Sequence, residues 1–190
     1  MNSKKTDAIH PPARYSAVAQ AIHWATAILV LVAFIFGPGG SEQRVYSAAQ
    51  NFDRQLHETL GLCVLVLVVL RVLWRRVDTR PAALSVSRWM NLAAKAVQVV
   101  LYVLLFAVPL TSITGAWLEG HPLTLLGGVE VAPFFPSSHA LGAWFASLHT
   151  WLGDAILWVA GVHALAALYH HFVLRDRVLI SMLPGRPPAQ

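Results

Sequence analysis

Four apolar stretches dictate what this chain can fold into: Ala17 to Phe36, Leu56 to Trp74, Leu92 to Trp117 and Leu148 to Val173. Each is close to the roughly 20 residues a helix needs to cross the hydrocarbon of a bilayer. Backbone polar groups find no water in that layer, so helices and closed barrels are the only spanning forms. The expected fold class is therefore an all-α integral membrane protein, a four-transmembrane-helix bundle forming a single domain over residues 1–190. Composition supports this. The chain is 56% hydrophobic and 12% charged, against roughly 25% charged in soluble domains. Its mean hydropathy is +0.57, so the apolar excess must face lipid rather than a core. Lipid is an expected partner; nucleic acid is not.

Connections differ in character. Gly37 to Arg54 is polar, Arg75 to Asn91 is basic, and Glu119 to Ala146 is long and rich in Pro and Gly. Pro133, Pro136 and their aromatic neighbours suggest that the last connection packs across the mouth of the bundle. A short interfacial helix is expected near Ser138 to Phe145. Twelve of the 14 basic residues fall on one side of the four spans, and only Arg44 and Arg54 on the other. By the positive-inside rule, both termini and the middle connection are cytoplasmic. The first span reads as a retained helix and not as a signal peptide, because Gly37-Pro38-Gly39-Gly40 offers no small-x-small cleavage site. Cleavage there would also remove His23. The single cysteine, Cys63, excludes an intrachain disulfide, a multi-cysteine zinc site and the C-x-x-C-H pattern of covalent haem attachment; it is expected to be a small core residue.

Ionisable residues inside a span are costly and usually functional, and this chain has four such histidines: His23, His57, His149 and His163. The alternation of spans sets their depths. His23 opens the first helix at the inner side, while His57 and His149 open helices that enter from the outer side. His163 follows His149 by fourteen residues, about 21 Å and nearly four whole turns of helix, so both face the same way at different depths. Two cross-helix pairs result, His57 with His149 outside and His23 with His163 inside. Any one such histidine could be an interhelical hydrogen-bonding residue, and a zinc site would need a tight cluster. Two depth-matched pairs instead suit two flat macrocycles with open axial positions, two non-covalent b-type haems whose irons the four imidazoles ligate.

Arg71 repeats the fourteen-residue offset from His57 and so should lie near the inner haem, as a propionate partner or as an arginine snorkelling to the boundary. Arg75, one turn on, is expected to snorkel. His170, seven residues after His163, stays on the same side at the inner boundary. There it could serve a quinone carbonyl, a propionate or proton transfer, or be an interfacial histidine, or replace His163 as ligand. The third span carries no histidine, and its Pro109 suggests a kink.

These features resemble the bacterial cytochrome b561 family over Tyr15 to Pro184. The likeness rests on Ile22-His23-Trp24, on His57-Glu58-Thr59-Leu60-Gly61 with Val69-Leu70-Arg71, and on His149-x3-Gly153. It continues through Gly161-Val162-His163 to Tyr169-His170-His171, then Arg175-Asp176 and Met182-Leu183-Pro184. The resemblance implies a multi-pass protein of the bacterial inner membrane with two haems b at the positions above, exchanging electrons with the quinone pool. Some members are superoxide oxidases, taking an electron from periplasmic superoxide and reducing ubiquinone near the inner side, with His170 a candidate quinone-site residue. The alternative is a di-haem cytochrome b subunit that passes electrons between quinol and a periplasmic redox partner. One feature departs from the first of these. Arg44 and Arg54 stand among Glu42, Asp53, Glu119 and Glu130, so the outer surface carries no evident excess of positive charge to steer an anion. His121 and His139 are expected to be surface residues there.

Overall fold

The computed structural model describes residues 14–78 and 87–184. The basic residues Lys4, Lys5, Arg80 and Arg186 lie outside them. In chain order the elements are α1 (Ala17–Ile35), a short α2 (Glu42–Val45), α3 (Asn51–Val77) and α4 (Arg88–Glu119). Then follow a two-stranded hairpin of β1 (Leu123–Thr124) and β2 (Glu130–Val131), α5 (His139–Tyr169) and α6 (Val178–Met182). A single 3-10 turn, Ala48–Gln50, precedes α3, and a π turn, His170–Leu174, extends α5. Four of these helices are long and apolar enough to cross a membrane, so the transmembrane fold class stands.

Each expected span is present, and three are longer than hydropathy alone indicates. In α3 and α4 the polar ends continue the helix beyond the apolar stretch, and in α5 the added turns are residues 139–147. For α5 this overturns one expectation: Ser138 to Phe145 is no separate interfacial helix, because α5 runs unbroken from His139. The cause lies in a close crossing with α4. A Cβ on Gly142 would stand 2.5 Å from Glu119 Cγ and 2.9 Å from the Glu119 backbone nitrogen, and one on Gly115 only 3.2 Å from the Ala146 nitrogen. Two glycines thus let the backbones touch, the small-residue packing that joins helices where lipid removes the hydrophobic drive. The first turns of α5 are thereby fastened to α4 instead of lying in the interface.

The helices pair as α1 with α3 and α4 with α5, and α3 against α4 joins the two pairs. Side chains such as Ile28, Leu31, Val103 and Trp158 point outward and are largely exposed, as lipid-facing residues must be, while Val68 at the centre is fully buried. Cys63 is also exposed, which corrects its expected place in the core: on α3 it shares the outward side, and Val64 and Val68 fill the inside. Buried hydroxyls satisfy themselves locally. Thr26 donates to the Ile22 carbonyl and Thr111 to that of Ala107, each at 2.7 Å, which avoids an unpaired polar group in the apolar interior.

The two ends are closed differently. At one, Ser16 caps α1 by accepting from the Ala19 N–H, donates to Asp78 at the end of α3, and accepts from the Trp74 indole. The chain after α5 returns to the same place: Tyr15 N–H and the buried Gln20 amide both donate to the Ser181 carbonyl, and the Trp24 indole to that of Met182. At the other end the hairpin folds back over α3. The Thr124 N–H donates to the Glu58 carboxylate and the Leu126 N–H to the Thr59 hydroxyl. Gly127 and Gly128, at φ 89° and 78°, make the left-handed turn that the strands need. Packing across the mouth is thus as the Pro- and Gly-rich composition suggested, and Trp117 is held edge-on by Phe134 and Phe135.

Candidate functional site

The topology brings the four histidines together as two pairs. His57 and His149 face one another with ring centroids 5.8 Å apart, and His23 and His163 with centroids 6.5 Å apart. In both pairs the rings are nearly perpendicular, at 84° and 85°. It is His163, not His170, that meets His23. Among the described residues no three His, Cys, Asp or Glu side chains gather as a metal cluster, so the pairs stand as pairs.

The His57–His149 pair lies at the end of the bundle that the hairpin covers, called outer to distinguish it from the His23–His163 end, and it is fixed by the backbone. His57 Nδ1 lies 2.7 Å from the Ala33 carbonyl, and His149 Nδ1 lies 2.8 Å from that of Val108. A carbonyl only accepts, so Nδ1 carries the proton in each ring and Nε2 is left with its lone pair. The sequence explains why Ala33 is available. Its carbonyl is in the last turn of α1, where Gly37 N–H turns to Phe34 instead and Pro38 has no N–H to offer. A helix end always leaves such carbonyls over, and His57 takes this one.

Imidazole nitrogen binds a transition metal at about 2 Å, so imidazoles on opposite sides of one metal stand about 6 Å apart between ring centres. Both observed separations fit that spacing. Gly61 and Gly153 lie one turn beyond His57 and His149, on the same sides of their helices, and a Cβ on either would meet nothing within 4 Å. Helix surfaces without side chains beside each imidazole suit a flat ring laid against the backbone. The residues present therefore fit a planar iron macrocycle with two axial nitrogens.

The inner level has a different second layer. Neither His23 nor His163 has a hydrogen-bond partner among the described residues. Arg71, on α3, turns toward this level instead and reaches the turn of α1 that precedes His23. Its Nε donates to the Tyr102 hydroxyl at 3.1 Å, and a guanidinium nitrogen stands 3.5 Å from the Ala19 carbonyl. Of the two expectations for Arg71, the inward placement is what the fold provides. Arg75 does not simply snorkel: it bonds Gln98 at 3.1 Å and lies over the Tyr102 ring. Ile22, Arg71, Trp74 and Tyr102 line a small cleft between α1, α3 and α4.

His170 lies at the inner end of α5, where the helix widens into the π turn and Arg175 takes a left-handed conformation (φ 53°). That reversal brings Asp176 back onto His170, whose Nδ1 it engages in a short hydrogen bond. Asp176 also accepts from the Val178 N–H at 2.9 Å. Burial opposes its ionisation, but these two bonds together with the electrostatic effect of His170 and His171 hold the carboxyl below the usual aspartate range.

At the outer mouth, reading the sequence alone missed a cluster. Arg54 pairs with Glu58 at 3.0 Å and lies over the Tyr46 ring. His121 stacks on the other partner of this group, the Tyr46 ring, at 3.5 Å and bonds Glu42 at 2.8 Å. It is thus no free surface residue, whereas His139 is largely exposed and only approaches Glu42, at 3.7 Å. Burial, followed by the Glu58 and Glu119 carboxylates, pushes the Tyr46 phenol above its usual range, so it remains protonated. Arg54 is spent on Glu58, so it forms no positive focus beside His57. The one available signal was the four-residue spacing of Arg54 and Glu58. Nothing in the sequence pointed to the Ala33 and Val108 carbonyls as partners.

Comparison with known proteins points to one family. Residues 14–185 match the family described as Prokaryotic cytochrome b561. The chain is 34% identical over 178 residues to cytochrome b562 of Cereibacter sphaeroides, covering 90% of this chain and 96% of that one. It is 31% identical over 173 residues to cytochrome b561 homolog 2 of Escherichia coli (strain K12), covering 90% and 92%. A third relative, the probable superoxide oxidase CybB of Yersinia pestis, is 29% identical over 177 residues, covering 91% and 97%. With four spanning helices and a match over nearly its whole length, the chain belongs to the prokaryotic cytochrome b561 family of transmembrane electron-transfer proteins, whose cofactor is b-type haem.

Proposed function

We propose that this protein carries electrons across the bacterial inner membrane through two haems b, oxidising superoxide at the periplasmic end and reducing ubiquinone at the cytoplasmic end. The observation that carries this reading is the pair of facing imidazole pairs at two depths, each at a spacing that suits one iron. His57 and His149 hold the outer haem; His23 and His163 hold the inner one. A b-type haem supplies a one-electron iron couple whose potential follows its axial ligands and their surroundings.

The residues of the chain do the rest. The Ala33 and Val108 carbonyls fix the tautomer and direction of the outer imidazoles. Arg71 places positive charge at the inner level, where a haem propionate is its natural partner. Two superoxide anions each lose one electron and leave as dioxygen, while ubiquinone takes those two electrons and two protons to become ubiquinol. His170, with Nδ1 committed to Asp176, presents Nε2 for a quinone carbonyl and can relay a proton to it. Both termini lie on the cytoplasmic side, because Arg14, Arg71, Arg75, Arg76, Arg88, Lys95, Arg175 and Arg177 gather at that end of the bundle.

Purified protein given superoxide and ubiquinone should release dioxygen and form ubiquinol together. A rate no faster than spontaneous dismutation sinks the superoxide assignment. A second reading, electron exchange between quinol and a periplasmic redox protein, draws support from the outer mouth. There Arg54 is neutralised by Glu58, and Val129, Phe134 and Phe135 of the hairpin region are exposed. A periplasmic protein that co-purifies and rapidly oxidises the reduced haems would favour it.

A further inference from the structure

Given the bis-histidine ligation proposed above, we propose that the two histidine pairs hold their haems at different reduction potentials. The outer haem has the lower potential, so electrons pass inward spontaneously. The difference is built from the groups behind the ligands. Each outer imidazole gives its Nδ1 proton to a backbone carbonyl, at 2.7 Å for His57 to Ala33 and 2.8 Å for His149 to Val108. Such a bond draws the ring toward imidazolate, makes Nε2 a stronger donor and favours the oxidised, more positive iron. The Ala33 carbonyl is especially effective, since it lies in the last turn of α1 and takes no N–H from Gly37. The Val108 carbonyl is shared with the Thr111 hydroxyl at 2.9 Å.

The inner pair is the reverse. His23 and His163 have no hydrogen-bond acceptor among the described residues, so their rings are weaker donors. The Arg71 guanidinium reaches the turn of α1 that precedes His23, held by neutral groups, the Tyr102 hydroxyl and the Ala19 carbonyl. Among the described residues no carboxylate pairs with it. Whether it acts on the iron directly or through a propionate, its positive charge favours the reduced form. Near His57 the corresponding arginine, Arg54, is cancelled by Glu58. Both differences have the same sign: they lower the outer potential and raise the inner one.

Spectroelectrochemical titration of the purified full-length protein tests this, with the haem content of each variant counted first. Native protein should titrate in two separated one-electron steps. His149→Ala, and His57→Ala as a second outer variant, should each keep one haem, titrating as the higher step. Arg71→Gln should lower that higher step and leave the other in place, and Arg71→Lys, which keeps the charge, should restore most of the loss. A surviving haem that titrates as the lower step, a single unresolved step in native protein, or an Arg71→Gln shift confined to the lower step overturns the proposal. If both outer variants retain two haems, the ligation itself is wrong and this proposal falls with it; the haem count shows that failure before any potential is read.

Discussion

The outer and inner histidine pairs are nearly the same motif set in opposite surroundings. Both consist of two imidazoles facing at almost right angles across two helices. The outer rings are tied to main-chain carbonyls and sit at the hairpin end, where Arg54 is paired with Glu58 on α3. The inner rings have no hydrogen-bond partner among the described residues and lie on the side that Arg71 approaches, in a region laced together by Ser16, Trp74, Gln20 and Asp78. What the contrast teaches is that two like histidine pairs can be given different surroundings by the backbone and charged groups behind them.

The comparison breaks most readily by removing ligands. His57→Ala or His149→Ala should each abolish one haem, and His23→Ala or His163→Ala the other, read from the reduced optical spectrum. If His23→Ala and His149→Ala remove the same haem, the two-level arrangement is wrong. A smaller effect is expected at the α4–α5 crossing, which holds Val108 opposite His149. Gly142→Val meets Glu119 backbone and side chain, and overpacking of this kind costs about 1–3 kcal/mol. Thermal unfolding should show that loss, with the outer haem released before the inner. Gly61→Leu sharpens the contrast: a Cβ at Gly61 meets no neighbour, so the helical fold by circular dichroism should survive while outer haem content falls.

Weaker still is the expected salt response. On the proposed superoxide oxidation, Arg54 paired to Glu58 leaves no positive funnel at His57, and the rate should change little with ionic strength. A steep fall with added salt would reveal a steering field absent from this reading of the outer mouth. The smallest effect belongs to Asp176 at the inner end. Its carboxyl is held below the aspartate reference of 3.8, so the folded state binds its proton less readily than the unfolded chain does. The clip to His170 is then at full strength above that value and weakens as pH falls through it and below. Amide exchange over residues 170–178 should accelerate only in that acid window, and Asp176→Asn should remove the dependence.

Much of this was legible from single residues and their spacing. Four apolar runs of spanning length left only a helical bundle, and the fourteen-residue interval from His149 to His163 put two imidazoles on one face at two depths. Alternation of spans then paired them, because up-and-down topology leaves few other partners. Arg71, at the same interval from His57, was placed near the inner pair but with its role open. Other features were hidden. His170 could be placed at the inner boundary, yet its bond to Asp176 depends on a π turn and a left-handed Arg175 that no helical period reports. Cys63 read as core because hydropathy cannot tell lipid from protein interior. The start of α5 read as a separate helix because the Gly115–Gly142 contact joins residues far apart in the chain.

The sequence by itself determined the membrane fold, the number of spans, the depth of each histidine and the two pairings, since these follow from hydrocarbon thickness and helical pitch, both local and regular. Only the tertiary structure decided what stands behind the paired imidazoles: the spare carbonyl of Ala33 on His57, the Val108 carbonyl that His149 shares with Thr111, and Arg71 at the inner level, with no carboxylate partner among the described residues. Those are contacts between backbone and side chains brought together by packing. Every residue supplies a carbonyl, so only the fold can select which one meets an imidazole.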